Sequence, residues 1–398
     1  MIVIAPPHQA DQRPVAGRYL KMPQSIVSRI RFVLVAAALV AGTTLARAQS
    51  TLPQRYADTT FWRLTNELSE PNGLFRSDNL LSNESSFQWV VPSLEKMTRP
   101  DGVYLGVAPE QNFTFIAALK PRVAFIIDIR RGNLIVHLMY KALFETSANR
   151  VDFAFKLFGR PKPAGVSPAI GVEELFTLVG STRLDTTFAR GVLNDVKDRL
   201  MKTHGFPLDK EDLDYLDYVY MAFSGTGAGL RYNMGGRNAG FGYGRGGMPN
   251  YANLMTESDS LGTHRAYLAT DEAYHTIKDM EERNVIIPFT GDFAGPKALR
   301  AFGKYVRDNK AVIQAIYVSN VEQYLWQDAS NWRKYYENVA TLPTDSTTVF
   351  IRSATNGYMH RQSPNSRQNE LLCPVSAHLK AFTDGKLMQY YDVFQYCR

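Results

Sequence analysis

The sequence is short of cysteine, of histidine and of catalytic signatures, and each shortage narrows the reading. Two cysteines, Cys373 and Cys397, stand near the C-terminus of 398 residues. That count excludes a disulfide-built scaffold. The pair either forms one disulfide stapling the tail, worth roughly 3 kcal/mol for a loop of this size, or stays as two buried thiols. There is no Cys-x-x-Cys, no His-Glu-x-x-His, no Gly-x-x-x-x-Gly-Lys and no Gly-x-Ser-x-Gly. Redox dithiol, zinc-protease, phosphate-loop and elbow-serine chemistries therefore lack motif support. The seven histidines are scattered, and His137 lies in an apolar helical run that suits a core role. No metal site is indicated. There is also no charge block and no internal repeat.

Basic charge is less abundant in the body of the chain than the total of +7 suggests. Residues 1–48 hold Arg13, Arg18, Lys21, Arg29, Arg31 and Arg47 against Asp11, which accounts for five of those charges. The remainder is nearly neutral, so the body does not read as a nucleic-acid binder. The N-terminal segment reads as an export signal. Arg29 and Arg31 precede an apolar run over 32–41, and Ala46-Arg47-Ala48 is a small-x-small cleavage site. Met22 is an alternative start. The run is too short to span a bilayer comfortably; a cleaved signal is expected over an uncleaved anchor, leaving the mature chain without a membrane span and periplasmic or secreted.

What is present is a globular composition, 45% apolar and 21% charged, with 12% aromatic. Residues 49–100 read as an N-terminal helical layer, with helices over 59–69 and over 87–97, the second interrupted at Pro92. Strand, helix, strand follow within 101–150, and a long helix covers 134–147. Residues 151–265 break the alternation and read as a helical insertion. Its last part is glycine-rich: ten of the 23 residues 225–247 are glycine, a composition that resists regular structure. The run reads as a plain surface loop or as a lid closing Tyr, Phe and Arg side chains over a ligand. Alternation resumes over 266–355, with strands at 285–289, 312–318 and 347–351. A C-terminal tail over 356–398 reads as a polar loop, then a helix near 375–382. The expected fold class is α/β, a doubly wound, mostly parallel Rossmann-like sheet with a helical insertion.

The first turn of that pattern carries the candidate site. The stretch VYLGVAPEQNFTFIAALKPRVAFIIDIRRGN spans residues 103–133. Pro109 is expected at the first helical position with Glu110 behind it. A dinucleotide fingerprint would need glycines at Gly106, Ala108 and Gln111, and one of the three is present. Asp128 follows Gly106 by the interval at which an acid meets a ribose hydroxyl. A carboxylate at Glu110 repels phosphate, which argues against NAD-type cofactors and leaves room for S-adenosylmethionine. Gly106, Glu110, Gln111, Asn112, Asp128 and Arg130 are the candidate cofactor-binding residues. Asp128 reads equally as a strand-end acid paired with Arg130 or Arg131. Asp292 and Asn320 follow later strands directly and are the catalytic candidates, facing Asp128 across a crevice. Glu322 completes Ser319-x-x-Glu322, a capping-box pattern. Arg352 is free to meet an anion or a neighbouring acid.

The segments GVAPEQNFTFIAAL, AFIIDIRRGNLIVHLMYKALFE, GDFAGPKALR and SNVEQYLW resemble those of an uncharacterised bacterial family with a methyltransferase-like Rossmann domain. The resemblance runs over about 75–350 and again near 371–392. It implies a fold and a crevice, and it carries over no catalytic residue. Three expectations follow: a methyltransferase-type enzyme with S-adenosylmethionine; an exported binding protein for a small polar ligand; or an envelope-glycan hydrolase or transferase using two carboxylates among Glu110, Asp128 and Asp292.

Overall fold

Short runs of β-branched and aromatic residues sit side by side in one sheet because both faces of each are covered. The computed structural model describes residues 50–75, 77–232, 248–328, 330–355 and 368–397. The leader at 1–48 and the centre of the glycine-rich run, 233–247, lie outside the described residues. The six strands found there are β1 (Val103–Val107), β2 (Val123–Asp128), β3 (Ile286–Thr290), β4 (Ile313–Ser319), β5 (Val349–Thr355) and β6 (Gln368–Pro374). Their order is β3-β2-β1-β4-β5-β6. The first five are parallel, and β6 runs antiparallel to β5. Every residue of β1, β2 and β3 is buried, as expected of parallel strands under helices.

The helices are α1 (Asp58–Leu68), α2 (Val91–Met97), α3 (Gln111–Leu119) and α4 (Arg131–Thr146), then α5 (Arg150–Leu157), α6 (Val172–Ser181), α7 (Thr186–Asp198) and α8 (Lys210–Thr226). They continue with α9 (Tyr251–Thr256), α10 (Asp271–Glu282), α11 (Ala298–Asp308), α12 (Val321–Leu325), α13 (Asn331–Ala340) and α14 (Val375–Thr383). Side-chain caps fix several starts: Asn149, Asp185, Asp209 and Thr270 each accept amide hydrogens of the helix that follows. Helix α1 turns Phe61, Leu64, Thr65 and Leu68 inward at helical spacing and packs on β3 and α11. Helix α4 is apolar almost all round and is buried among β3, α8 and α10.

Winding reverses after β3. Chain passes outward from β1 to β2 to β3 and returns through α11 to β4, on the other side of β1. Right-handed crossovers then put α3 and α4 on one face and α11 on the other. The β2–β3 crossover carries the helical insertion, α5 to α9. Pro92 does not interrupt a helix. It sits at the start of α2, where its missing donor costs nothing, after a short 3-10 turn over Phe87–Val90. Strand β6 replaces part of the expected polar loop, and Cys373 on it is joined to Cys397 by a disulfide. Among the described residues no helix is long and apolar enough to cross a membrane.

Candidate functional site

The carboxyl ends of β1, β2, β3 and β4 open into one cleft of about 790 Å³, its mouth included. It lies where the winding reverses, between β1 and β4, the place at which open α/β sheets take ligands. Strand ends supply Val107, Ala108, Asp128, Asp292, Ser319 and Asn320, and Gln111 comes from α3. A strap preceding β1 covers the cleft with Phe75, Asn79, Leu81, Ser82 and Asn83, and Phe293, Tyr232 and Tyr324 add aromatic surface. Asp128, Asp292 and Asn320 thus share one cleft, as the strand ends suggested. No lysine or arginine lines it among the described residues.

The first βα turn is built differently from a nucleotide cradle. Asn112 points back into the turn: its Nδ2 donates to the carbonyls of Val107, Ala108 and Pro109 at 2.7–3.0 Å. Its Oδ1 accepts from the Tyr104 hydroxyl at 2.8 Å. Gly106 exists for that bond, since a Cβ there would stand 1.8 Å from Asn112 Oδ1. Gly106 and Asn112 thus support the turn, and neither lines the cleft. Ala108 takes φ +65°, a conformation disfavoured for any residue but glycine. Its carbonyl also bonds His137 Nε2 at 3.0 Å. Burial pushes His137 down to about 4, so the imidazole is neutral and donates. Pro109 lies outside the helix, which starts at Gln111 with Glu110 as its cap residue.

Glu110 does not reach the cleft either. It is fully buried behind Ser82, whose amide donates to its Oε1 at 3.1 Å. Its Oε2 has no partner. Burial pushes its carboxyl up to about 7, against the Ser82 bond. Folded Glu110 is therefore protonated at pH values where the unfolded residue, at 4.5, is ionised. The stability it contributes is complete below the unfolded value and is lost as pH rises towards 7. Glu110→Gln keeps an acceptor for Ser82 and cannot ionise. Above neutrality it is expected to be more stable than the parent by up to about 3 kcal/mol, with no such gain below about pH 4.5. Denaturant midpoints on both sides of that window measure this, and an equal difference at both pH values would refute it.

Asp128 lines the cleft, but both its oxygens are engaged by Arg130 at 2.9–3.0 Å, with backbone and guanidinium contributing. Arg130 is buried and reaches the carbonyls of Ser77 and Asp78 on the strap. Burial opposes its charge, and Asp128 outweighs that, holding its pKa above the ordinary value. Arg130 is thus a strut between β2 and the strap and does not line the cleft. Asp292 Oδ1 accepts from Ala294 N at 2.9 Å, and the residue lines the cleft. Glu70 accepts from the amides of Asp292, Lys297 and Ala298 at 2.7–2.9 Å. The amides entering α11 are therefore already met by a carboxylate of the protein.

One buried cluster has no counterpart among the sequence expectations, and a second was expected only as Arg352 beside an unspecified acid. Glu84, on the strap, accepts from Tyr317 at 2.6 Å and from the Ser319 hydroxyl, and Gln111 Nε2 donates to Tyr317. Glu370 of β6 is buried beside it. Burial raises both carboxyls, Glu370 well above its ordinary range with Glu84's charge adding to the effect. The second cluster pairs Glu322 with Arg352. Glu322 makes no cap bond to its helix, so the capping-box expectation is corrected. Sequence could mark these acids, but not that strands far apart in the chain bring them together.

A family model described as Domain of unknown function (DUF7790) matches residues 80–163 and 238–385. The chain belongs to that family. The matched parts hold all six strands and most of the cleft's lining, while the stretch left out, 164–237, covers α6, α7 and α8 of the insertion. The DUF7790 assignment carries no activity with it. No curated protein matches the chain.

Proposed function

We propose that the chain is an exported protein that takes a small, non-phosphorylated, hydroxylated or amine-bearing ligand of nucleoside type into the cleft. One observation carries this: Asp128, Asp292, Gln111 and Asn320 converge between aromatic walls, with no cation lining the cleft among the described residues. An apolar body can lie against Phe75, Phe293 and Tyr324 while hydroxyl or amine hydrogens meet the polar groups. A phosphate would meet the Asp292 carboxylate with no cation lining the cleft among the described residues to offset it, and the helix-entry amides at α11 are occupied by Glu70.

We further infer that the sheet is a Rossmann-like variant of methyltransferase type. Its order and its antiparallel strand beside β5 support that, and Asp128 stands at the end of β2 where an acid meets a ribose. The glycine turn of that class has been replaced by the Asn112 scaffold. S-adenosylmethionine, cationic at sulfur and free of phosphate, falls within the proposed ligand class. Export reduces its availability, because that cofactor is made and used inside cells, so an uncharged nucleoside is the preferred ligand.

Thermal-shift measurements on the purified chain test this reading. Adenosine, S-adenosylmethionine and its demethylated product are the positive probes; ATP, NAD and glucose are the comparators. A ligand at 100-fold its Kd stabilises the folded state by about 2.7 kcal/mol. A nucleoside probe is expected to raise the melting temperature and the phosphorylated compounds are not. Asp292→Asn keeps the Ala294 bond and is expected to weaken nucleoside binding about tenfold, the loss of one charged hydrogen bond. A shift with ATP or NAD but none with the nucleosides would remove the proposal.

A further inference from the structure

Ser319 ends β4 at φ +51° and lines the cleft. The pairing of β4 with β5 slips in register between Tyr317 and Ser319, and α12 begins two residues later. A slipped register followed by a left-handed residue re-aims a side chain. A serine on a sharp strand-to-helix turn, at the mouth of an open sheet, is the arrangement that exposes a nucleophilic hydroxyl. No glycines flank it here, so the elbow motif does not reveal it.

Its hydroxyl donates to Glu84 Oε1, and Glu84 is fully buried. The other oxygen, Oε2, accepts from Tyr317 at 2.6 Å, which fixes the carboxylate's orientation. Nucleophile, base and orienting group are thus linked in one chain of hydrogen bonds. Beside Ser319, Asn320 lines the cleft and brings a carboxamide donor to the same edge.

We propose that Ser319 is a nucleophile for acyl transfer with Glu84 as its general base, acting on O-acyl esters of small hydroxylated compounds. The substrate class rests on the ligand reading above; the serine–glutamate pair does not. The Ser319 Oγ attacks the ester carbonyl carbon while its proton passes to Glu84. Collapse of the tetrahedral intermediate breaks the ester C–O bond, and Glu84 returns the proton to the departing alcohol. Water then attacks the acyl-serine, gives a proton to Glu84 and releases the acid, and that proton restores the Ser319 hydroxyl. The balance is ester plus water to acid plus alcohol.

The groups facing Glu84 set its pH dependence. They are Ser319 and Tyr317 of β4, Ser353 of β5 and Glu370 of β6, and Glu110 feels the charge of Glu84. Tyr104 of β1 feels Glu84 in turn. Burial raises Glu84, and the Ser319 and Tyr317 hydroxyls oppose that; Glu370, raised further by burial and by the charge of Glu84, with Ser353 opposing, holds a proton in preference. The base form of Glu84 is therefore gained as pH rises above the ordinary carboxylate range.

Labelling of the full-length chain with a fluorophosphonate, read by intact mass and peptide mapping, tests the assignment. One adduct, on Ser319, is expected, with a rate that climbs with pH above the ordinary carboxylate range. Ser319→Gly keeps the left-handed backbone and should label at no site. Glu84→Gln keeps one acceptor oxygen, puts an NH2 donor where the other stood and cannot take a proton, and should slow labelling about 100-fold or more and flatten the pH profile. Hydrolysis of 4-nitrophenyl acetate should follow the same order. An adduct elsewhere, no adduct on the parent, or Glu84→Gln labelling at the parental rate overturns the proposal. The mapped adduct and parental pH profile decide it even if a variant misfolds. Nucleoside shifts of the parent with no adduct would refute this inference alone, whereas an adduct without any nucleoside shift would refute the ligand reading alone.

Discussion

Replacing Arg352 with methionine is expected to cost about 3–5 kcal/mol of stability, the largest loss from a single side chain away from the cleft. Arg352 is 1% exposed and contacts both oxygens of Glu322. Its guanidinium also bonds His378 Nε2 at 3.0 Å and lies 4.1 Å from the centre of the Phe350 ring. Without it the Glu322 carboxylate stays buried with the Tyr336 hydroxyl as its remaining side-chain donor. Burial alone would raise the Glu322 carboxyl, but Arg352 wins and holds it below the ordinary value of 4.5. Its stabilisation is therefore present above the unfolded value and is lost as pH falls below it. Replacing both partners, Glu322→Leu with Arg352→Met, removes the charge as well as its neutraliser, and is expected to recover most of the loss and to blunt the acid sensitivity. Urea midpoints for the single and double variants near neutrality measure this. A single variant within about 1 kcal/mol of the parent would show that the pair carries no such weight.

Gly106→Ala is expected to cost about 3–5 kcal/mol, overpacking together with the polar bonds it breaks. A methyl group would lie 1.8 Å from Asn112 Oδ1 and 2.7 Å from the Tyr104 hydroxyl. Neither can retreat cheaply, because Asn112 is bonded on three sides and Tyr104 is fully buried. The loss should appear in the denaturant midpoint, along with weaker binding of any cleft ligand, since Val107 and Ala108, the next two residues, line the cleft. Asn112→Ala in the same background separates the causes. With the obstructing oxygen gone, the further penalty from Gly106→Ala should shrink to about 1 kcal/mol or less, and a full additional loss would place the clash elsewhere.

Most of the sheet was legible because its strands are buried on both faces and read as apolar runs. The runs at 103–107 and 123–127 fall within a residue of the observed β1 and β2, and the later ones within a few residues of β3, β4 and β5. Strand β6 was not legible. Its sequence, QNELLCP, opens on polar residues that suit a loop, and it becomes a strand because the free edge of β5 offers it hydrogen bonds. The cleft's position was legible for the same reason as the strands: the groups directly after each apolar run must gather at one edge. That reasoning placed Asp128, Asp292 and Asn320 correctly in one cleft.

Roles were less legible than places. Asn112 and Glu110 sit where a ligand contact is natural, yet one turns inward to its own backbone and the other is sealed by Ser82. Sequence spacing gives the direction of a backbone, not the rotamer of a polar side chain or what covers it. The covering strap at 75–84 comes from a segment without strong periodicity, and it decides which acids reach solvent.

By itself, then, the sequence determined an α/β chain with a mostly parallel sheet, a helical insertion and a polar edge at the ends of β1 to β4, since these follow from local hydrophobic pattern. The tertiary structure alone decided that Glu322 is the acid that meets Arg352, and that Ser319 meets Glu84 across 235 positions of sequence. Such pairings depend on low-dielectric burial created only when distant segments close over one another, and no local pattern encodes it.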